Sequence, residues 1–186
     1  MPEQELTAAQ RVLVEVWEAH MAAEFDTRSI EATMATMTDD PVVNHVPVMT
    51  GGVGARAVRE FYTRYFIGNH PPDTEIVPLK RTVGQARIVD ELIHKFTHTI
   101  EMPWMLPGIP PTGRHVEVAV VVVVEFREGK ISQERIYWDQ ASVLAQLGVL
   151  DTDRLPAAGS EAARKVRDPV QEPSNVLITR TSKSLG

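Results

Sequence analysis

The side chains in this sequence best suited to chemistry are three histidines and one aspartate. His94 and His98 stand four apart in ARIVDELIHKFTHTI (86–100), where the even-numbered residues Ile88, Asp90, Leu92, His94, Phe96, His98 and Ile100 are more apolar than the odd-numbered set. Side chains alternate across a strand, so the even set should face the core, with the two imidazoles about 13 Å apart by strand rise and Phe96 between them. His45 lies in a second short apolar segment, VVNHVPV (42–48), and Asp139 follows Tyr137-Trp138 where a strand gives way to a helix. Imidazoles exchange protons near neutral pH or polarise a carbonyl. A carboxyl desolvated by aromatic neighbours acquires the raised pKa that proton transfer needs.

Each candidate also has a plainer reading. Asp139 is placed to be a helix N-cap. His94 and His98 can be satisfied core histidines. Three histidines can bind a metal, but i, i+4 on a strand is too wide for one ion, so no metal site is assigned. Arg114, after Gly113 at the mouth of a strand, can hold an acidic substrate group or pair with a surface carboxylate. Trp17 and His20 share one face of the first helix and read as helix–sheet core. The Gly51-Gly52-Val53-Gly54 stretch lacks the Lys-Ser/Thr of a phosphate loop.

The elements that must position these groups follow from periodicity. Thr7 with Gln10 forms a capping-box pattern, and Leu13, Val16, Trp17, His20, Met21 and Phe25 keep helical spacing, predicting a helix over 7–25. A shorter helix is expected over 29–37, broken by Asp39-Asp40-Pro41, then a short strand over 42–48 and a glycine loop. A third helix is expected over 54–67, where Val58, Phe61, Tyr62, Tyr65 and Phe66 repeat. The period then becomes two over 74–83, 86–100, 115–127 and 130–138, which read as an antiparallel meander. The greasy loop 102–112, containing Trp104 and Met105, should fold over the sheet as a lid. The order is helices, then a curved sheet, then a terminal helix: an α+β domain over 1–150 with a polar tail over 151–186.

Composition narrows the function. The chain has 186 residues, a net charge of −6 and no cysteine. That charge disfavours nucleic acid and anionic membranes, and the missing thiols exclude disulfides and cysteine nucleophiles. The apolar run through Ala119 to Val124 is too short to span a bilayer. The polar N-terminus does not read as a secretory signal, so a cytoplasmic location is expected. That same run is apolar on both faces, which suggests a homodimer through the sheet.

Thr97-His98-Thr99, the turn GIPPTGR (108–114), and Asp139 followed by Leu144-Ala145-Gln146-Leu147-Gly148 resemble the SnoaL-like polyketide cyclase group of the nuclear-transport-factor-2-like superfamily. The resemblance covers about residues 5–150. It implies a cone-shaped α+β fold and a small, cofactor-free enzyme with a hydrophobic pocket, in which the position matched by Asp139 is a general acid/base. The resulting expectation is a lyase, isomerase or cyclase acting on a small hydrophobic carbonyl or phenolic compound, the alternative being a binding or dimerisation module on the same fold. Asp139, His94, His98 and His45 are the expected catalytic groups. Trp17, Phe61, Tyr62, Phe96, Trp104, Met105, Arg114, Tyr137 and Trp138 are the expected substrate contacts.

Overall fold

The computed structural model describes residues 5–184, with side chains through residue 180. Helix α1 (Ala8–Phe25) starts at Thr7, whose hydroxyl accepts from Gln10 N while the Gln10 side chain caps Thr7 N in return. Four of its buried residues, Leu13, Trp17, His20 and Glu24, recur every three or four positions, so one face of the helix enters the core. That face carries two ionisable groups among its apolar ones, and they matter below. Helix α2 (Ile30–Ala35) is capped by Ser29, and α3 (Ala55–Phe61) runs on into a π-helical turn, Tyr62–Phe66.

The strands are β1 (Met37–His45), β2 (Thr50–Val53), β3 (Glu75–Val83), β4 (Arg87–Thr97), β5 (His115–Arg127) and β6 (Lys130–Trp138). They form one six-stranded sheet in the order β2-β1-β6-β5-β4-β3, antiparallel throughout except for the parallel β1–β6 pair. This is the curved α+β sheet expected from the sequence, with the N-terminal helices on its concave side. The bounds of β5 and β6 coincide with the predicted ones.

The sequence reading departs from the structure in three places. Asp39-Asp40-Pro41 does not precede the first strand but lies inside β1. The register there shifts between Met37 and Val42, and Pro41, which has no N–H to give a ladder, sits in that irregular stretch. The glycine loop forms β2, hairpin partner of β1. In the tail, where one short helix over 160–166 is legible in the sequence, that helix forms as α5 (Glu161–Arg167) and packs on β5 of its own chain, and a second, unexpected helix, α6 (Val176–Ser184), follows. Among the described residues no helix is long and apolar enough to cross a membrane.

One irregularity aims the site. On β5 the neighbours Glu125 and Phe126 pair with Gln133 and Ile131 of β6, so Ser132 is an extra residue, a β-bulge. Ile131 is buried before it; Glu134 and Trp138 are buried after it. The bulge therefore turns Glu134, Ile136 and Trp138 toward the concave side, where simple alternation from Ile131 would place Gln133, Arg135 and Tyr137.

Gly51 of β2 has φ 139°, and a Cβ there would collide with the Val43 carbonyl. Gly51→Ala is expected to destabilise the protein by on the order of 2 kcal/mol. In a thermal melt that is a fall in Tm of about 4–8 °C.

Candidate active site

The concave side encloses a cavity of about 70 Å³ whose walls include Trp17, Met21, Phe25, Val43, Phe66, Leu92, Trp104, Met105, Val120, Val122 and Trp138. Into these apolar walls project five polar side chains: Glu24, His45, Tyr62, His94 and Glu134. Glu24 is 4% exposed and Glu134 3%. Carboxylates so deeply buried must be paired, because an isolated ion in such surroundings costs several kcal/mol.

The partner is His20, fully buried directly behind them. Its Nε2 lies 3.1 Å from Glu24 Oε1 and 3.1 Å from Glu134 Oε1. On the far side of the ring, Thr36 Oγ1 donates to Thr33 O at 2.6 Å and is left to accept from His20 Nδ1–H at 2.7 Å. Nδ1 therefore carries a proton whatever the charge of the ring. The His20 and Glu24 positions, i and i+4 on α1, are brought together by the helix, and Glu134 reaches them from β6. Trp17 stacks on the imidazole, ring centres 5.5 Å apart. Tyr62 Oη lies 3.4 Å from His20 Nε2 and donates to Glu134 Oε1 at 3.5 Å.

These contacts set the proton affinities. Burial opposes a charge on His20, but the Glu134 and Glu24 carboxylates outweigh it and raise its pKa to about 10. Burial raises the Glu24 carboxyl above its ordinary range, against the pull of His20 and with the help of the Glu134 charge. Burial, then the two carboxylates, keeps the Tyr62 phenol protonated. One imidazolium thus balances one carboxylate, and the second carboxyl holds or releases a proton toward the cavity. Among the described residues, His20, Glu24 and Glu134 are also the group of three whose ligand atoms all lie within 4.8 Å of one another, a donor set that a divalent cation could share.

The two imidazoles that line the cavity are kept neutral. His45 donates from Nδ1 to Thr50 O at 3.3 Å and is ringed by Phe61, Phe66, Trp104 and Trp138, with burial lowering its pKa to about 4. Burial likewise lowers His94 to about 4. Trp104 and Met105, from the loop after β4, are buried in the cavity wall. Trp104 Nε1 donates to Asn69 O at 3.1 Å, Thr50 Oγ1 to Trp104 O at 2.6 Å, and Gln140 Nε2 to Met105 O at 3.2 Å.

Not every expected site residue arrives. Asp139 is exposed and caps α4 (Gln140–Gln146), accepting from Ser142 N at 3.1 Å. Its neighbour Tyr137 is 39% exposed, so the anticipated desolvation of this carboxyl does not occur. His98 lies beyond β4 under the loop, where its Nδ1 accepts from Thr112 N at 3.3 Å, and it does not line the cavity. His45, His94 and His98 therefore form no common metal site. Phe61 packs against His45 and Phe96 against His94, one layer behind the cavity wall. The exposed Arg114 lays its guanidinium over Gly148. Glu24 and Glu134 were missed, although the i, i+4 pairing of His20 with Glu24 was visible in the sequence.

The family model described as SnoaL-like polyketide cyclase matches residues 7–147. Among solved structures, a SnoaL-like protein of Jannaschia sp. CCS1 superposes with a TM-score of 0.62 at 18% identity, covering 80% of this chain and 100% of that one. TsrD of Streptomyces laurentii gives 0.60 at 18% identity, covering 78% and 100%. An NTF2-like protein of unknown function from Burkholderia pseudomallei K96243 gives 0.56 at 18% identity, covering 73% and 97%. No curated protein matches.

Two measurements check the electrostatics. Side-chain nitrogen NMR should show His20 charged through neutral pH, titrating near 10, with His45 and His94 neutral down to about 4. The stability that His20 contributes is complete below its unfolded pKa of about 6.5 and is lost as pH rises toward its folded value. His45 and His94 act in the opposite sense: below about 6.5 the unfolded chain takes up protons that the folded one refuses. Acidification toward pH 4 should therefore lower Tm through these two residues. Asp139→Ala should cost about 1 kcal/mol of stability through the lost cap.

Proposed function

Because this chain belongs to the SnoaL-like polyketide cyclase family, we propose that it processes a small hydrophobic carbonyl or phenolic compound by acid/base chemistry inside the cone. The observation that carries this reading is a pair of cavity-facing carboxyls sharing one buried imidazolium. An apolar chamber selects an apolar substrate, and inside it a carboxylate is a stronger base than in water.

The step is proton abstraction beside a carbonyl. Glu24 takes the proton from carbon, and the C–H electron pair moves to form the enolate, with negative charge on the carbonyl oxygen. Neutral His94, on β4, donates a hydrogen bond to that oxygen. Protonated Glu24 then returns the proton, either to another carbon in an isomerisation or to a departing hydroxyl in a dehydration. In an aldol cyclisation the enolate carbon attacks a second carbonyl, and the proton goes to the new alkoxide. His20 does not touch substrate; it is a positioning residue that fixes the two carboxyls and offsets one charge. Asp139, on the outside of the cavity, retains its cap.

Exchange of the α-hydrogens of 2-tetralone in D2O, followed by proton NMR, tests the assignment. The rate should rise with pH through the elevated Glu24 pKa, above the usual carboxylate range, and fall again as His20 loses its proton near 10. Glu24→Gln should cut it by about a hundredfold or more, whereas Asp139→Asn should change it by less than about threefold. The reverse pattern would return the role to Asp139, and an unaffected rate in both variants would leave a binding module.

A further inference from the structure

We propose that substrate reaches the cavity between the end of α1 and the edge strand β3, through a door made by the side chains of Met21, Phe25 and Ile76, and that these three side chains set how wide a molecule is admitted. The door rests on the proposed function only in treating the cavity as a binding chamber; it serves whatever chemistry the carboxyls perform.

Most of the cavity is sealed by buried groups. Among its lining residues only Met21, Phe25, Ile76 and Ile136 are partly exposed. Ile136 offers no passage, since its strand is hydrogen-bonded to β1 on one side and to β5 on the other. The other three meet where no backbone ladder closes the wall. β3 is the last strand of the sheet and pairs with β4 alone. An open groove of about 590 Å³ runs between α1 and β3, and Met21, Phe25 and Ile76 line it as well as the cavity, as does buried Leu92 of β4. The wall there is one side chain thick.

These side chains can turn without breaking a hydrogen bond. Phe25 is the last residue of α1, and its ring rests against Phe66 and His70, with centres at 6.1 and 5.1 Å. Met21 is unbranched and adapts through three torsions. Ile76 lies just before an irregularity in β3. Pro78 pairs with Leu92 and Lys80 with Glu91, so Leu79 is an extra residue that interrupts the ladder beside the groove. The loop over 102–112 is fastened by contrast. Asn69 and Thr50 hold Trp104, and Gln140 holds Met105. Swinging that loop outward breaks three hydrogen bonds and uncovers two buried side chains. Rotation of a partly exposed side chain takes picoseconds to nanoseconds, and displacement of a loop takes longer.

All three tryptophans of the chain, Trp17, Trp104 and Trp138, line the cavity, so intrinsic fluorescence reports what enters it. The probes, applied to the full-length protein, are acrylamide, a neutral quencher that needs no binding site, and 2-tetralone, followed by stopped flow. Phe25→Ala and Ile76→Ala should each raise the acrylamide quenching constant about threefold or more and the 2-tetralone association rate constant about tenfold. Thr50→Val, which unties the loop outside the cavity, should change either by less than about twofold. Because the chain has no cysteine, Ile76→Cys can be capped selectively with benzyl methanethiosulfonate. The cap should slow 2-tetralone entry about tenfold, and dithiothreitol should restore it, a reversal that a folding defect would not show. Unchanged constants in both alanine variants, a rise in Thr50→Val as large as theirs, or a cap without effect would overturn the door. The acrylamide result decides the door even if 2-tetralone neither binds nor exchanges hydrogen, in which case the acid/base reading falls and the door is judged separately.

Discussion

Inside the cone one imidazole ring, His20, holds two glutamates whose charges the surrounding tryptophan, valine and methionine side chains cannot solvate. Much of the local architecture answers that constraint. The N-terminal helix supplies the ring and one carboxyl one turn apart; the last strand supplies the other. Thr36, whose own proton is committed to the Thr33 carbonyl, fixes which nitrogen of the ring faces the acids. A second buried acid is handled differently. Asp90 accepts Trp17 Nε1–H at 2.8 Å and a bidentate Arg81 at 2.7 and 2.8 Å. Asp90 anchors the first helix to the sheet, whereas the glutamates share one imidazole and face open space.

The histidines show how far environment outweighs residue type. His20 is charged because two acids touch it. His45, with a single backbone partner inside an aromatic ring, is neutral, as are His70 and His94, which have no protein hydrogen bond among the described residues. A charged imidazole tunes carboxyls; a neutral one offers a donor and an acceptor in the same ring. Neutral His45 and His94 line the cavity, and charged His20 stands behind its wall.

Most of the frame was legible in the sequence. Period-two patterning located β5 and β6 to the residue and put His94 on the concave face of β4, because a strand with one buried face writes its register into its apolar positions. The site was only half legible. Asp139 looked functional because aromatic residues precede it, yet a carboxyl at the first position before a helix is where a cap also stands, and the cap is what forms. Glu134 was hidden by the bulge at Ser132, since alternation counted from Ile131 points it outward. His20 and Glu24 were in view, but a helical stripe of Leu13, Trp17 and His20 reads as ordinary core until a third group on a distant strand reveals otherwise.

The bulge at Ser132 also has a meaning on the timescale of descent. One residue gained just after the bulge, with the bulge kept, changes the lining at several points of the wall together, exchanging Glu134, Ile136 and Trp138 for Gln133, Arg135 and Tyr137, whereas loss of Ser132 leaves Glu134 opposite Val124. Accumulated point substitutions would pass through half-polar, half-paired interiors on the way to the same result. A single codon inserted after that place reaches it in one step, with the hydrogen-bonded ladder on either side left standing. Length variation at one position of the last strand is thus a route by which related cones can acquire unlike chemistries.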